Sequence, residues 1–248
     1  MYVHEVGSGS AVLVLHGSPS IGEMVMPVAD ALEDTHRVLV PDLPGYGDSP
    51  RHDSCTFEAV RQSVVEQLRE RDVESLSIVG HSNGAYRALD LALNTELEIE
   101  KLILLSGLCY FTQEMCEQFP ETAAALREGV DLEDAIVEQW IAPAYREANP
   151  DFEEQMRQWW SMLDPQVIAA DIEAAVEGDD LRPRLNEIKV PVYLRVGSAD
   201  LATPPEFSEE MAALIPNAEL DIVDGAGHFV HLEDSHDTGR QIAAFLQR

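Results

Sequence analysis

Residues 76–93 read LSIVGHSNGAYRALDLAL, and this stretch decides the fold. The apolar run 76–79 leads into Gly-His-Ser-Asn-Gly, and a helix-like segment follows at once. A G-x-S-x-G pattern between a buried strand and a helix places its serine on a sharp, strained turn at the end of the strand. Glycine two residues before and two residues after the serine leaves room where the chain passes close to itself. We therefore predict that Ser82 is a nucleophile and not part of an ordinary glycine-rich turn.

Outside this stretch, short apolar runs alternate with amphipathic segments, a pattern typical of a parallel sheet wrapped by helices. The predicted strands are rich in Val, Ile and Leu and lie at residues 11–15, 38–40, 76–79, 101–105, 190–196 and 219–223. An edge strand is predicted at residues 2–6. The predicted helices are residues 22–33, 57–71, 83–93, 205–214 and 236–247. The pattern predicts an α/β fold with a mostly parallel central sheet flanked by helices.

The alternation stops between residues 107 and 184, where no strand-like run occurs and helical periodicity prevails. Prolines divide this segment into lengths that suit several short helices, at Pro120, Pro143, Pro150 and Pro165. We predict a helical insertion over residues 107–184. The core domain is then formed by residues 1–106 and 185–248.

The predicted insertion is rich in aromatic and methionine residues and contains all three tryptophans of the chain. A ligand pocket is usually lined by apolar side chains with a few polar groups. Trp140, Met156 and Trp159 are therefore candidates for substrate contact. The alternative is that these side chains form the insertion's own small core.

A serine needs a base to become nucleophilic near neutral pH. His228 lies in Gly-Ala-Gly-His, directly after the last strand-like run and before the final helix. Such a glycine-flanked loop lets an imidazole reach over the edge of the sheet, so we predict that His228 is the base. The competitor His231 is expected to pack or to cap a helix. A metal site formed by these two histidines lacks a third ligand, and no metal is expected.

The base should be oriented by a carboxylate, and position selects one among the 46 acidic residues. Asp200 lies in Gly-Ser-Ala-Asp, directly after the predicted strand 190–196. In open parallel sheets, the carboxyl ends of the strands form the site. We therefore predict that Asp200 orients His228, in the chain order Ser, Asp, His.

A tetrahedral intermediate needs two hydrogen-bond donors for its oxyanion. The backbone N–H of Asn83, which follows the nucleophile, is one candidate. Residues 16–19, His-Gly-Ser-Pro, follow the first predicted parallel strand, and the N–H of Ser18 is the second candidate. Pro19 has no N–H and cannot serve. His16 is expected to be a structural residue that holds this loop.

These motifs together resemble the α/β-hydrolase fold over nearly the whole chain. The resemblance rests on residues 16–19, PDLPGYGDS at 41–49, the nucleophile turn, Asp200 and the Gly-His pair at 227–228. It implies that residues 107–184 form a cap over the active site and that no cofactor is required. The stretch 41–49 is carried over as structural. The sequence departs from the family at Asn83, where many relatives have an apolar residue, and in a sheet that is expected to be one strand short.

The resemblance and the residues together predict a serine hydrolase that cleaves a carboxylic ester or lactone of a small, mostly apolar substrate through an acyl-enzyme, with water as the second reactant. Enzymes of the family that use an aspartate nucleophile are disfavoured because residue 82 is serine. Carbon–carbon bond hydrolysis and a cofactor-free perhydrolase or haloperoxidase activity remain open. A small-molecule receptor that retains the triad is the alternative outside enzymes, and repeated turnover would distinguish the two.

The charge is strongly one-sided, with 16 Lys and Arg against 46 Asp and Glu and a formal net charge of −30. The negative electrostatic potential of such a protein repels phosphate backbones and anionic lipid surfaces. Neither nucleic acid nor a membrane is therefore an expected partner. Two explanations of the acidity remain open. One is adaptation to high salt, where repulsion is screened, and the other is an acidic surface that maintains solubility.

No apolar run approaches the roughly 18 residues that a membrane span needs, and residues 1–10 lack the pattern of a signal peptide. We therefore expect a cytoplasmic location. The three cysteines are odd in number and show no zinc or C-x-x-C spacing, so no disulfide framework is expected. Nothing in the sequence indicates an oligomeric state.

Overall fold

The computed structural model describes residues 1–51 and 55–248. In this part of the chain, seven strands form one sheet in the order β1-β3-β2-β4-β5-β6-β7. Their bounds are β1 Val3–Gly7, β2 Ser10–Leu15, β3 His36–Pro41, β4 Ser75–His81, β5 Glu98–Leu105, β6 Val192–Gly197 and β7 Ala218–Val223. Strand β1 pairs antiparallel with β3 at one edge, and every other pairing is parallel. The predicted mostly parallel α/β architecture is confirmed.

Helices cover both faces of the sheet. Their bounds are α1 Gly22–Asp30, α2 Phe57–Glu70, α3 Asn83–Asn94, α4 Gln113–Arg127, α5 Glu133–Trp140, α6 Pro143–Ala148, α7 Pro150–Ser161, α8 Pro165–Val176, α9 Pro205–Leu214, α10 Val230–Glu233 and α11 Ser235–Leu246. Helix α1 ends three residues earlier than predicted. The predicted final helix begins one residue earlier, and the short α10 precedes it.

Alternation along the strands separates two apolar clusters, one on each face of the sheet. In β2, Leu13 and Leu15 belong to the cluster shared with α2, α3 and α9. Val12 and Val14 point the other way, into the cluster shared with α1 and α11. Successive side chains of a strand face opposite sides, so a strand covered by helices on both sides is apolar at consecutive positions. This explains the unbroken Val, Ile and Leu runs of the central strands.

Helices α4–α8 all lie between β5 and β6. Pro143, Pro150 and Pro165 occupy the first positions of α6, α7 and α8, where the missing N–H costs no helical hydrogen bond. Pro120, in contrast, lies inside α4, so the expectation that it separates two helices is wrong. Helix α4 packs against α8, and Arg127 of α4 bonds to Glu173 of α8.

The parallel strands place their carboxyl ends at one edge of the sheet. Residues 16–19 follow β2, Ser82 follows β4, Asp200 follows β6 and His228 follows β7. These segments are far apart in the chain and meet only because parallel strands share a direction. Within the described ranges, no helix is long and apolar enough to cross a membrane.

Candidate active site

Ser82 lies on a strained turn between β4 and α3. Its φ of 55° falls in the left-handed region, which non-glycine residues rarely adopt. A Cβ on Gly80 would lie 2.3 Å from the carbonyl oxygen of Gly84, and a Cβ on Gly84 would lie 2.3 Å from that of Leu15. Both glycines are therefore required by the close approach of backbone segments. The turn presents Ser82 to a cavity at the carboxyl edge of the sheet.

His228 lies between Ser82 and Asp200. Its Nδ1 is 3.0 Å and 3.1 Å from the two carboxylate oxygens of Asp200, and its Nε2 is 2.9 Å from Ser82 Oγ. A carboxylate has no proton to donate, so Nδ1 carries the proton and Nε2 is left as the acceptor for the serine hydroxyl. All three side chains are buried. The structure thus brings together the three residues that the sequence assigned to a triad.

Asp200 is held by the residues that follow it. Its Oδ1 accepts the backbone N–H of Ala202 at 3.0 Å and that of Thr203 at 2.9 Å. The Thr203 hydroxyl lies 3.0 Å from Oδ2, 3.2 Å from His228 Nδ1 and 2.8 Å from the carbonyl of Ser106. Sequence reasoning missed Thr203, although an aspartate that bonds to N–H groups two and three residues ahead is a recurrent local turn.

Glu233 holds the loop that carries His228. Its carboxylate accepts three backbone N–H groups, from Gly227 at 2.8 Å, Phe229 at 3.2 Å and Ala142 at 3.1 Å. Burial raises the pKa of Glu233, and the three N–H groups oppose that shift. No local pattern indicates this role of Glu233, because Ala142 is distant in the chain.

The segment after α5 also contacts the base. The carbonyl oxygen of Trp140 accepts the backbone N–H of His228 at 2.7 Å. The indole ring lies edge-on to the imidazole, with ring centroids 5.0 Å apart. The helices between β5 and β6 therefore contribute to the position of His228 as well as to the cavity wall.

Two further histidines, His81 and His231, are buried behind His228. His81 Nε2 donates to the carbonyl oxygen of His228 at 3.0 Å, and the His81 and His231 ring centroids are 4.3 Å apart. Burial lowers the pKa of His81 well below its usual value and that of His231 to about 3, so both rings are neutral near pH 7. His228 lines the cavity, whereas His231 does not.

His16 holds the loop that carries Ser18. Its Nε2 accepts the N–H of Leu43 at 2.9 Å, so Nδ1 bears the proton and donates to the Gly17 carbonyl at 2.8 Å. Burial is the main cause that lowers the pKa of His16 to about 4. Ser18 and Asn83 both line the cavity beside Ser82. The predicted oxyanion donors therefore lie on the loop after β2 and at the first residue of α3, both beside the nucleophile.

A cavity of about 830 Å³ lies between the carboxyl edge of the sheet and helices α4–α8. Much of its wall is apolar and comes from the segment between β5 and β6, including Phe111, Phe119, Leu132, Ile136, Trp160 and Ile168. The acidic lining residues are Asp131, Glu133 and Asp171, and no Lys or Arg of the described chain lines the cavity.

The three residues that were expected to contact a substrate lie in different environments. Trp140 lines the cavity, whereas Met156 and Trp159 do not. Met156 is fully buried in the main apolar cluster, and Trp159 packs against that cluster. The neighbouring Trp160 lines the cavity instead. The expectation for Met156 and Trp159 is corrected, because helix α7 turns those side chains towards the main apolar cluster.

Other chemistries find little support in the described residues. No group of three His, Cys, Asp or Glu side chains there is arranged to hold a metal ion. Cys55, Cys109 and Cys116 are unpaired. Burial raises the pKa of the Cys109 thiol to about 12, so this thiol is a poor nucleophile near neutral pH.

Comparison with known proteins agrees with this geometry. A family model described as "Alpha/beta hydrolase family" matches residues 12–240. The chain is 26% identical over 260 residues to a pimeloyl-[acyl-carrier protein] methyl ester esterase from Aliivibrio salmonicida, with 100% of this chain and 96% of the relative covered. A thermophilic esterase from Thermogutta terrifontis superposes with a TM-score of 0.94 at 26% identity and covers 99% of this chain and 92% of that one. An enol-lactonase from Burkholderia xenovorans LB400 shares the fold, with a TM-score of 0.91 at 24% identity and coverage of 100% and 96%.

Proposed function

This chain belongs to the alpha/beta hydrolase family, and from that premise we propose that it is a serine hydrolase of carboxylic esters or lactones. The observation that carries the proposal is the continuous hydrogen-bonded series from Ser82 through His228 to Asp200. A serine whose hydroxyl faces the acceptor nitrogen of a carboxylate-oriented imidazole is arranged for nucleophilic attack. The esterases among the similar proteins support the ester bond as the target.

In the first half of the reaction, Ser82 Oγ attacks the acyl carbonyl carbon while His228 Nε2 takes the serine proton. The N–H groups of Ser18 and Asn83 bind the oxyanion that forms, and the N-terminus of α3 adds a favourable dipole. The alkoxide leaves with the proton from His228. Asp200 stabilises the imidazolium and does not itself become protonated.

In the second half, His228 takes a proton from water, and the resulting hydroxide attacks the acyl-enzyme. The same two N–H groups bind the second oxyanion. Collapse of the intermediate releases the acid and returns the proton to Ser82. No cofactor takes part, and water is the only second reactant.

Helices α4–α8, within residues 107–184, serve as the cap of this site. Their side chains supply most of the apolar wall of a cavity that is large enough for a small to medium-sized acyl or alcohol group. The three acidic lining residues and the net charge of −30 disfavour substrates with several negative charges. The preferred substrates are therefore neutral, mostly apolar esters or lactones.

The test is repeated turnover across a panel of p-nitrophenyl esters, lactones, a dicarboxylate monoester and a triglyceride emulsion. We expect kcat/KM to be highest for neutral esters of short to medium chain length, with release of many equivalents of product per protein. Ser82→Ala is the control for adventitious hydrolysis. A single burst without turnover would favour a receptor, and faster cleavage of the dicarboxylate monoester or the triglyceride would overturn the substrate class.

A further inference from the structure

The loop 41–49, which the proposed mechanism does not use, reaches the active site through Tyr46. Its hydroxyl lies 2.8 Å from Ser18 Oγ and donates to Asp171 Oδ2 at 3.0 Å. Asp171 belongs to helix α8, 125 residues away in the chain, and its Oδ1 accepts from Arg87 of α3 at 2.5 Å. Four side chains from four parts of the chain thus form one hydrogen-bonded series.

The direction of the hydrogen bonds follows from the number of protons. Asp171 pairs with the guanidinium of Arg87 and acts as an acceptor. The single proton of the Tyr46 hydroxyl is therefore committed to Asp171. The Ser18 hydroxyl must then donate to the Tyr46 oxygen. This order fixes the direction of the Ser18 O–H bond, and the hydrogen bond ties the Ser18 side chain to Tyr46.

The series is buried and well supported. Arg87, Asp171 and Tyr46 are 4%, 2% and 3% exposed. Burial raises the pKa of Tyr46, and the neighbouring Asp171 raises it further, so the phenol keeps its proton at any ordinary pH. The Tyr46 ring also packs edge-on against His16, with centroids 5.2 Å apart. Tyr46 therefore contacts His16 and Ser18, the residues on either side of Gly17 in this loop.

We propose that Tyr46 and Asp171 are positioning residues that hold Ser18 in place to bind the oxyanion. The inference rests on the proposed function, in which the Ser18 N–H is an oxyanion donor. The packing of α8 on the core then becomes a condition of catalysis, because α8 supplies the carboxylate that joins Tyr46 to Arg87. Neither residue touches the reacting atoms; both act through Ser18.

A second cluster of the same composition provides a matched control. Tyr193 donates to Asp221 at 2.8 Å, and Asp221 pairs with Arg195. Tyr193 is also buried, yet none of these three residues lines the cavity. Tyr46→Phe and Tyr193→Phe each remove one hydroxyl and leave an Arg–Asp pair intact. A general effect of losing a buried tyrosine hydroxyl would appear in both variants.

The experiment measures kcat and KM for p-nitrophenyl butyrate and the rate at which a fluorophosphonate labels Ser82. The phosphoryl oxygen of this reagent needs the same oxyanion donors as the ester. Removing an oxyanion donor outright costs on the order of 100-fold or more in kcat. Tyr46→Phe keeps the donor but loosens it, so we expect about a tenfold fall in kcat and in labelling rate. KM should change less than about twofold, because ground-state binding does not use the oxyanion donors. Tyr193→Phe should leave all three values unchanged.

Ser18→Ala removes the same hydrogen bond from its other end and keeps the backbone N–H. The double variant with Tyr46→Phe should therefore lose no more than either single variant, since the two changes break one interaction. Asp171→Asn should lower the labelling rate in the same way, and its melting temperature shows whether it is folded. If it does not fold, Tyr46→Phe still decides, because it spares the ion pair.

The possible failures can be told apart. Ester turnover with wild-type rates in Tyr46→Phe overturns the positioning role and leaves the proposed function standing. Additive losses in the double variant overturn it as well. Labelling that slows in Tyr46→Phe, in a protein that turns over no ester, supports the positioning role and refutes the proposed function. A wild-type protein whose Ser82 neither turns over esters nor reacts with the fluorophosphonate overturns both.

Discussion

The cavity has two sides, and they are built in different ways. On the sheet side, Ser82, Asp200 and His228 each lie within about five residues of the end of a strand, and backbone hydrogen bonds hold their segments. On the side of helices α4–α8, the wall is mostly apolar side chains, and one polar link to the core is the Asp171 carboxylate, which bonds to Tyr46 and Arg87. From this difference we propose that the sheet side carries the chemistry and that helices α4–α8 select the substrate. The predictions below test this division.

The largest effects should come from the sheet side. Ser82→Ala or His228→Ala should each lower kcat by about 10⁴-fold or more, because triad residues act as a unit. The control is His231→Ala, which removes a buried imidazole that does not line the cavity and should cost far less. Steady-state kinetics on the best ester of the panel measures all three. Equal damage from His231→Ala would contradict the choice of base.

Asp200→Asn should lower kcat by about 10⁴-fold, since an amide can donate to Nδ1 and so stabilise the wrong imidazole tautomer. Asp224→Asn is the matched control, because Asp224 is an exposed aspartate that follows the neighbouring strand β7. The measurement is kcat on the same ester, with the melting temperature as a check of folding. Near-normal activity in Asp200→Asn would show that another acid orients His228.

The buried ion pair between Arg87 and Asp171, which joins α3 to α8, should contribute to the free energy of unfolding. Arg87→Met leaves the buried Asp171 carboxylate without its charged partner. Removing one partner of a buried pair costs about 3–5 kcal/mol in the free energy of unfolding. Arg127→Met breaks the exposed pair with Glu173 and should produce no comparable change. Urea unfolding measures both, and equal values would refute a special role for the buried pair.

The loss of folding stability at acid pH should also arise mainly on the sheet side, because residues 107–184 contain no histidine. The pKa of His16 is lowered to about 4 and that of His231 to about 3, against an ordinary value of 6.5. The unfolded chain therefore binds more protons below pH 6.5. The stability from these neutral rings is complete above pH 6.5 and is lost as pH falls towards 4.

Each such histidine contributes up to about 1.4 kcal/mol per pH unit in this window. His231→Gln should reduce the slope of unfolding free energy against pH between 6.5 and 4. His236→Gln changes an exposed histidine and serves as the control. Urea unfolding at several pH values gives the slopes. An unchanged slope in His231→Gln would mean that His231 is not buried as a neutral ring.

Added salt should have the smallest effect for each charged residue. It should act on the sheet side and on the side of helices α4–α8. Residues 107–184 hold 18 acidic and five basic residues, so their charge is denser than that of the core. Added ions screen self-repulsion, and we expect the melting temperature to rise from 0.1 to 2 M NaCl. Sulfate is unsuitable because it stabilises proteins generally by exclusion. A flat or falling profile would favour the explanation that the acidity maintains solubility.

The sequence by itself determined the sheet side of this protein. Strand runs, the glycine-flanked serine, Asp200 after β6 and His228 after β7 are local patterns, and the positions of these three residues in the fold follow from where the strands end. Boundaries were less accurate: α1 ended early, and Pro120 lay inside α4 instead of between helices. Propensity sets the type of an element, but packing sets where it ends.

Only the tertiary structure decided the other side of the cavity. An apolar helix face identifies side chains that will be buried but does not say against what, so Met156 and Trp159 were mistaken for cavity residues while Trp160 was overlooked. The contacts between Tyr46 and Asp171, and between Trp140 and His228, join segments about 90 to 125 residues apart. Such contacts depend on how the helices dock on the sheet, and docking is a property of the whole fold, because it is set by long-range packing that no local pattern encodes.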